Sequence, residues 1–161
     1  MGQRYKEVVE NRIRSLETNP NCVVEGESIT DLRELVGVLD QVPEKPAQTF
    51  RQALQSLWFA HIINTWEDGI NANSIGRVDQ MLWPYYEKDL QNGLLTREDA
   101  FDLVASFWLK LYRDYDVQQA VLAGTKPNGE DATNELTYLM LDVTDALDLI
   151  RCLSVDRKSV V

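Results

Sequence analysis

The chain has 161 residues, 44% of them hydrophobic, with four Trp, six Tyr and four Phe, enough for the core of about one domain. Its 26 acidic residues outweigh 16 basic ones to leave a formal net charge of -10, a balance that repels a phosphate backbone and argues against a nucleic-acid partner. The charged opening MGQRYKEVVENRIRSL lacks the apolar core of a signal peptide, and no apolar run approaches the roughly 18 residues of a membrane helix, so a soluble, cytoplasmic protein without a membrane partner is expected.

Helical periodicity dominates, and strand-like alternation is nearly absent until the last residues. The first helix carries Tyr5, Val8, Val9, Arg12, Ile13 and Leu16 along one side and ends at Asn19-Pro20, because proline disfavours helical geometry in the residue before it. After a loop from Asn19 to Gly26, a second helix starts near Ser28 with Asp31 three residues on, and sets Leu32, Leu35, Val36 and Leu39 on one stripe before Pro43. Pro46 is expected to open the third helix, in which Phe50, Ala53, Leu54, Leu57, Trp58, His61 and Ile62 recur at three- and four-residue steps and predict burial along most of its length.

Gly69 to Gly76 breaks that pattern with the polar run INANSI. A fourth helix is predicted from about Val78 to Gln91, closed by Asn92-Gly93 as a left-handed cap. Thr96 can cap a fifth helix, with Asp99 near the positive end of its dipole and Ala100, Leu103, Val104, Phe107, Trp108 and Leu111 on the buried face. The loop AGTKPNGE at 123 to 130 precedes a sixth helix that Asp131 or Thr133 can start, bearing Leu136, Leu139, Met140, Val143 and Leu147. Cys22 and Cys152 lie far apart with no His or second Cys at ligand spacing, so no metal site and no disulfide framework is expected.

Three blocks stand in order: PAQTFRQALQSLWFAHI at 46 to 62, SIGRVDQMLWPYYEKDLQNGLLTREDA at 74 to 100, and GTKPNGEDATNELTYLMLD at 124 to 142. Together they resemble an interior stretch of the glycyl radical enzymes of the pyruvate formate-lyase superfamily, in the part that precedes the catalytic loops. The resemblance runs over residues 46 to 155, with 1 to 45 as a more variable helical lead-in. It implies a fold the stretch does not itself display: mainly α as a fragment, the outer helices of the family's ten-stranded α/β barrel.

The resemblance also implies the chemistry of the intact parent, an anaerobic lyase, dehydratase or acyltransferase. A backbone glycyl radical oxidises a cysteine to a thiyl, which takes hydrogen from a small-molecule substrate. The radical is installed by a partner activating enzyme carrying an iron-sulfur cluster and S-adenosylmethionine, and the parent is expected to be a homodimer. The stretch itself would bind no cofactor, hold no catalytic residue and be inactive alone, contributing part of the wall that positions substrate and shields the radical.

Asn71, Asn73 and Ser74 are the candidate substrate-pocket contacts: short amide and hydroxyl side chains that both donate and accept, set between two glycines that let backbone approach a ligand. In dehydratase branches the segment resembles a Gly-His-Ser run before Gly-Arg; here Ile70 and Asn71 follow Gly69. The competing reading is an Asn-rich turn capping its own backbone. Arg77 and Asp79 resemble the family's Gly-Arg-x-Asp-Gln block and are read as an internal ion pair fixing the following helix, in preference to catalysis. Asp131 and Asn134 resemble a loop-to-helix junction built by side-chain capping, with a pocket contact as the alternative.

Glu67 and Asp68 sit near a helix C-terminus that disfavours anions, and are read as a surface salt bridge before proton transfer. His61, on the buried stripe, is read as a packing histidine before a general base. Trp58, Trp66, Trp83 and Trp108 are read as core aromatics rather than a stacking platform. Cys152 sits in IRCLSV, which resembles the start of a barrel strand and not the catalytic cysteine loop, and Cys22 is no better placed.

After Val155 the resemblance stops. The last six residues, DRKSVV, are the in-frame translation of GAT CGG AAG AGC GTC GTG, a common sequencing-library adaptor, so Asp156 to Val161 are expected to be foreign to the natural protein. The leading reading is therefore a piece of a glycyl radical enzyme; the alternative is a stand-alone helical interaction module without catalysis.

Overall fold

The structure, a computed structural model, describes residues 2–19, 24, 28–67, 72–113, 117–148 and 153–156. Among these are six helices and three strands: α1 (Gly2–Thr18), α2 (Ile29–Leu39), α3 (Phe50–Glu67), β1 (Ala72–Arg77), α4 (Val78–Gln91), α5 (Arg97–Arg113), β2 (Val117–Ala123), α6 (Glu135–Leu147) and β3 (Leu153–Asp156). The chain divides into two compact units, Met1–Ser56 and Leu57–Val161.

In the first unit, α1 packs on α2 and buries Val9, Ile13 and Leu16, a stripe at four- and three-residue steps. Tyr5 and Val8, expected on the same side, are 44% and 62% exposed, because the stripe is narrower than the periodicity predicts. Ser28 caps α2, its Oγ accepting from Asp31 N at 3.4 Å. Arg33 pairs with Glu17 at 2.7 Å and Lys6 with Asp40; that hydrogen bond to Asp40 raises the Lys6 pKa. Pro46 does not open α3. Thr49 does, its Oγ1 accepting from Gln52 N at 3.3 Å, while Gln52 Oε1 accepts from Gln48 N at 2.8 Å just ahead of the helix.

The second unit is built on a parallel sheet of order β1-β2-β3, whose two longer strands the sequence pattern does not reveal. Helix α4 packs on β2 and on α6, and α5 packs on α6. A Schellman motif ends α4: Gly93 takes φ 66°, its N–H reaches Leu90 O at 3.1 Å, and Leu94 N reaches Asp89 O at 2.9 Å. Thr96 and Asp99 cap α5 reciprocally, with Asp99 N donating to Thr96 Oγ1 at 3.1 Å and Thr96 Oγ1 to Asp99 Oδ2 at 2.7 Å, which lowers the Asp99 pKa.

Ala100, Val104, Phe107, Trp108 and Leu111 form the buried face of α5, and Leu136, Leu139, Met140 and Val143 that of α6. Trp108 Nε1 spans the two helices to Thr144 Oγ1 at 3.0 Å. Burial also pushes the Tyr86 pKa up, with Glu135 adding to it. Of the four tryptophans Trp66 departs from the expectation: it is 67% exposed, on a part of α3 where Ile63 is exposed too. No helix among the described residues is long and apolar enough to cross a membrane.

Candidate functional site

Of the polar residues predicted from the sequence, Arg77, Asp79 and, through Thr137, Asn134 meet at the carboxyl ends of β1 and β2. The carboxylate of Asp79, in the first turn of α4 and fully buried, accepts three hydrogen bonds. Ala123 N donates to Oδ2 at 2.7 Å, Thr137 Oγ1 to the same oxygen at 2.5 Å, and Gln80 N to Oδ1 at 2.8 Å. A buried charge needs such partners, and here neutral donors supply them in place of a cation.

Arg77, the last residue of β1, turns its guanidinium the other way. Nε donates to Ala123 O at 3.1 Å, Nη2 donates to the same carbonyl, and Nη1 reaches Thr125 O at 3.2 Å. The expected ion pair between Arg77 and Asp79 is therefore absent among the described residues: the two side chains grip the carbonyl and the N–H of one residue. Ala123 needs that grip, since it stands at φ 61°, a left-handed conformation that costs a non-glycine residue free energy. Gly124 follows at φ 93°, and a Cβ there would lie 2.8 Å from Arg77 Nη2 and 2.7 Å from Asp156 Oδ2.

The loop after Gly124 is closed by the same block. Ala132 N donates to Gly124 O at 2.9 Å, and Gln80 Nε2 donates to Ala132 O at 2.6 Å. Asp131 does not start α6; its Oδ1 accepts from Thr133 N at 2.8 Å and Thr133 Oγ1 at 2.7 Å, so both residues expected as caps fold into a local turn. The N-cap is Asn134, whose side chain accepts from Thr137 N at 3.0 Å while Thr137 Oγ1 accepts from Asn134 N at 3.1 Å. Thr137 thus joins the cap of α6 to the buried carboxylate of Asp79.

Ser74 is exposed on β1; Asn73 belongs to the same strand, and Asn71 lies outside the described residues. The INANSI segment is in part a strand, paired with β2 through Asn73↔Gln118 and Ser74↔Gln119 and bulged before Gly76. Sequence reasoning missed Gln119 and Ser154, joined by a hydrogen bond from Gln119 Nε2 to Ser154 Oγ at 3.0 Å. The signal was the seven-residue run VQQAVLA, too short to reveal a partner strand.

His61 is buried on α3 and stacks on Trp58 with ring centroids 5.4 Å apart; Phe107 meets the same indole edge-on, and Lys110 Nζ lies 5.8 Å from its centroid. Glu67 is exposed; Asp68, Cys22 and Cys152 lie outside the described residues. Among the described residues no cluster of His, Cys, Asp and Glu could hold a metal ion.

Three comparisons place this arrangement. The pyruvate formate lyase-like family model matches residues 23–154. The chain is 35% identical over 138 residues to trans-4-hydroxy-L-proline dehydratase of Clostridioides difficile, covering 75% of this chain and 18% of that protein. It is 34% identical over 128 residues to isethionate sulfite-lyase of Nitratidesulfovibrio vulgaris, covering 69% and 16%.

In structure it resembles a glycyl radical enzyme from Archaeoglobus fulgidus, with a TM-score of 0.83 at 33% identity, over 96% of this chain and 21% of that one. It also resembles substrate-bound hydroxyproline dehydratase of C. difficile, with a TM-score of 0.81 at 30% identity, over 96% and 21%. The chain spans about a fifth or less of each relative's length. The family match runs from residue 23, ahead of α2, into the third strand, and the chain belongs to the pyruvate formate lyase-like family.

Proposed function

We propose that this chain is a portion of a glycyl radical lyase or dehydratase that acts on a small molecule by hydrogen-atom abstraction. The observation that carries this reading is the family match over residues 23–154, together with relatives whose names give lyase and dehydratase activities. In the intact enzyme a glycyl radical, installed by an iron-sulfur and S-adenosylmethionine activating partner, would generate a cysteine thiyl; the thiyl takes a hydrogen atom from a substrate C–H bond, leaving S–H and a carbon radical. These residues supply the scaffold: Arg77, Asp79, Asn134 and Thr137 hold the strand ends and the loop that leads to α6, and α4, packed on β1, β2 and α6, covers one side of the sheet.

Asn71, Asn73 and Ser74 are proposed as substrate contacts. Support comes from the register of β1, which sets Ser74 beside Gln119 on an exposed part of the sheet. Isethionate, trans-4-hydroxy-L-proline, 1,2-propanediol and glycerol, named with the relatives, are candidate substrates and all carry hydroxyl groups. The parent is proposed to be a cytoplasmic homodimer, and the 161-residue chain to be inactive by itself. Asp156 to Val161 are proposed to be adaptor-derived; the family match ends at residue 154.

The test is the reading frame of the locus, re-read from independent DNA. It should depart from DRKSVV after Val155, then encode a cysteine loop and, near its end, a glycine loop resembling Arg-Val-x-Gly-Tyr. After anaerobic activation the full-length product should show a glycyl-radical EPR signal. A complete gene without both loops refutes the enzyme, and a frame that encodes DRKSVV and a stop refutes the adaptor.

A further inference from the structure

Strand β2 buries Ala120 and Leu122 on one face, while Gln119 is exposed and Val121 half-buried on the other. Cross-strand partners in a sheet point to the same side, so the pairs Ser74↔Gln119 and Val121↔Ser154 set Ser74, Gln119 and Ser154 together on that second face. The 3.0 Å hydrogen bond from Gln119 Nε2 to Ser154 Oγ shows directly that β2 and β3 share it. Three polar residues, one from each strand, thus form a row across the sheet.

A row of this kind is out of place in an ordinary parallel sheet, whose faces are both covered and whose strands read as near-continuous hydrophobic runs. We propose that the row Ser74, Gln119 and Ser154 binds the neutral, hydroxyl-bearing part of the substrate, with Gln119 as the specificity-determining residue. The inference rests on the enzyme reading above and adds Gln119 and Ser154 to its contacts.

The chemistry follows from the hydrogen bonds already made. Gln119 spends one amide hydrogen on Ser154 Oγ and keeps a second N–H and its carbonyl oxygen; Ser154, having accepted, still has its hydroxyl hydrogen to give. Ser74 adds a further donor and acceptor. Donors and acceptors in near balance suit a hydroxyl group, which must do both. An anionic group would find no cation in the row, and the guanidinium at its end, Arg77, already serves Ala123 O and Thr125 O.

The experiment uses the full-length enzyme of the extended frame, with glycerol as the neutral probe and propane-1-sulfonate as the anionic one, read by calorimetry. Wild type should bind glycerol more tightly than the sulfonate. Gln119→Leu should weaken glycerol about tenfold, as expected for losing a ligand hydrogen bond, and leave sulfonate binding unchanged. Ser154→Ala should weaken glycerol less, and a thermal midpoint of Gln119→Leu equal to wild type separates a lost ligand contact from misfolding. No glycerol binding by wild type, tighter sulfonate binding, or equal glycerol affinity in wild type and both variants overturns the proposal. The presence or absence of the cysteine and glycine loops is read from the gene, so failure of the enzyme reading is distinguished from failure of the row.

Discussion

Arg77 and Asp79 act on a single residue from opposite sides: the guanidinium holds the carbonyl of Ala123 while the carboxylate holds its N–H. Two charges of opposite sign, two residues apart, do not meet. Each is satisfied by backbone, and what they fix between them is the left-handed exit from β2.

Replacing Asp79 by Ala should therefore be costly, because the Ala123 N–H and Thr137 hydroxyl lose their acceptor inside the fold. We expect a local destabilisation of roughly 2–4 kcal/mol. Hydrogen exchange of a peptide containing Ala123, in the full-length protein, should accelerate accordingly. Thr137→Val should lose part of the same energy, and the double variant should cost less than the two added together. Strict additivity would mean that the 2.5 Å contact carries no coupling.

Gly124 and Gly129 offer a controlled comparison, since both have positive φ, at 93° and 83°. At Gly129 a Cβ would meet nothing within 4 Å, so Gly129→Ala should cost backbone strain alone, on the order of 1 kcal/mol. At Gly124 the Cβ would press on the Arg77 guanidinium that holds Ala123. Gly124→Ala should shift the denaturation midpoint further than Gly129→Ala. Equal shifts would show that Arg77 yields freely.

The cap of α5 sets a pH dependence. Hydrogen bonds from Thr96 lower the Asp99 pKa, so the folded state favours the carboxylate. The resulting stabilisation is present above the ordinary aspartate range and is lost as pH falls through the lowered folded value. Protection of amides in the first turn of α5, measured against their intrinsic exchange rates at each pH, should fall on acidification through that window in wild type. Asp99→Asn should remove this component.

Expressed alone, residues 1 to 161 should associate and bind a hydrophobic dye. Leu94, Trp66 and Tyr138 are at least 60% exposed, and apolar side chains of this size left in water promote association. Sedimentation across a concentration series checks this. A monomer with one sharp thermal transition would instead be the behaviour of a self-sufficient helical module.

Much of this was legible in the sequence because a helix writes its partner face into its own periodicity. The buried stripes of α5 and α6, the cap at Thr96 and the Gly93 terminator all follow from residues within one or two turns of each other. The sheet was not legible, since a parallel strand finds its partner far along the chain: Gln119 and Ser154 are 35 residues apart, and Arg77 and Ala123 are 46. The same distance explains the ion pair read between Arg77 and Asp79. Seen locally they are each other's nearest counter-charges, and only the return of β2 beside β1 provides the backbone that takes both. At α6 three capping residues, Asp131, Thr133 and Asn134, compete for one position; the junction read through Asn134 holds, and the start read at Asp131 or Thr133 does not. Asn134 wins because Thr137 answers it three residues on.

The strand order carries a last consequence. Sheets of this class bind ligands in the crevice opened where successive connections depart in opposite directions, a reversal visible as a break in strand sequence. Here space repeats the chain, first beside second beside third, with no break. Among the described strands no such reversal occurs, and the polar row of Ser74, Gln119 and Ser154 lies on the broad side of the sheet instead of in a crevice between strand ends.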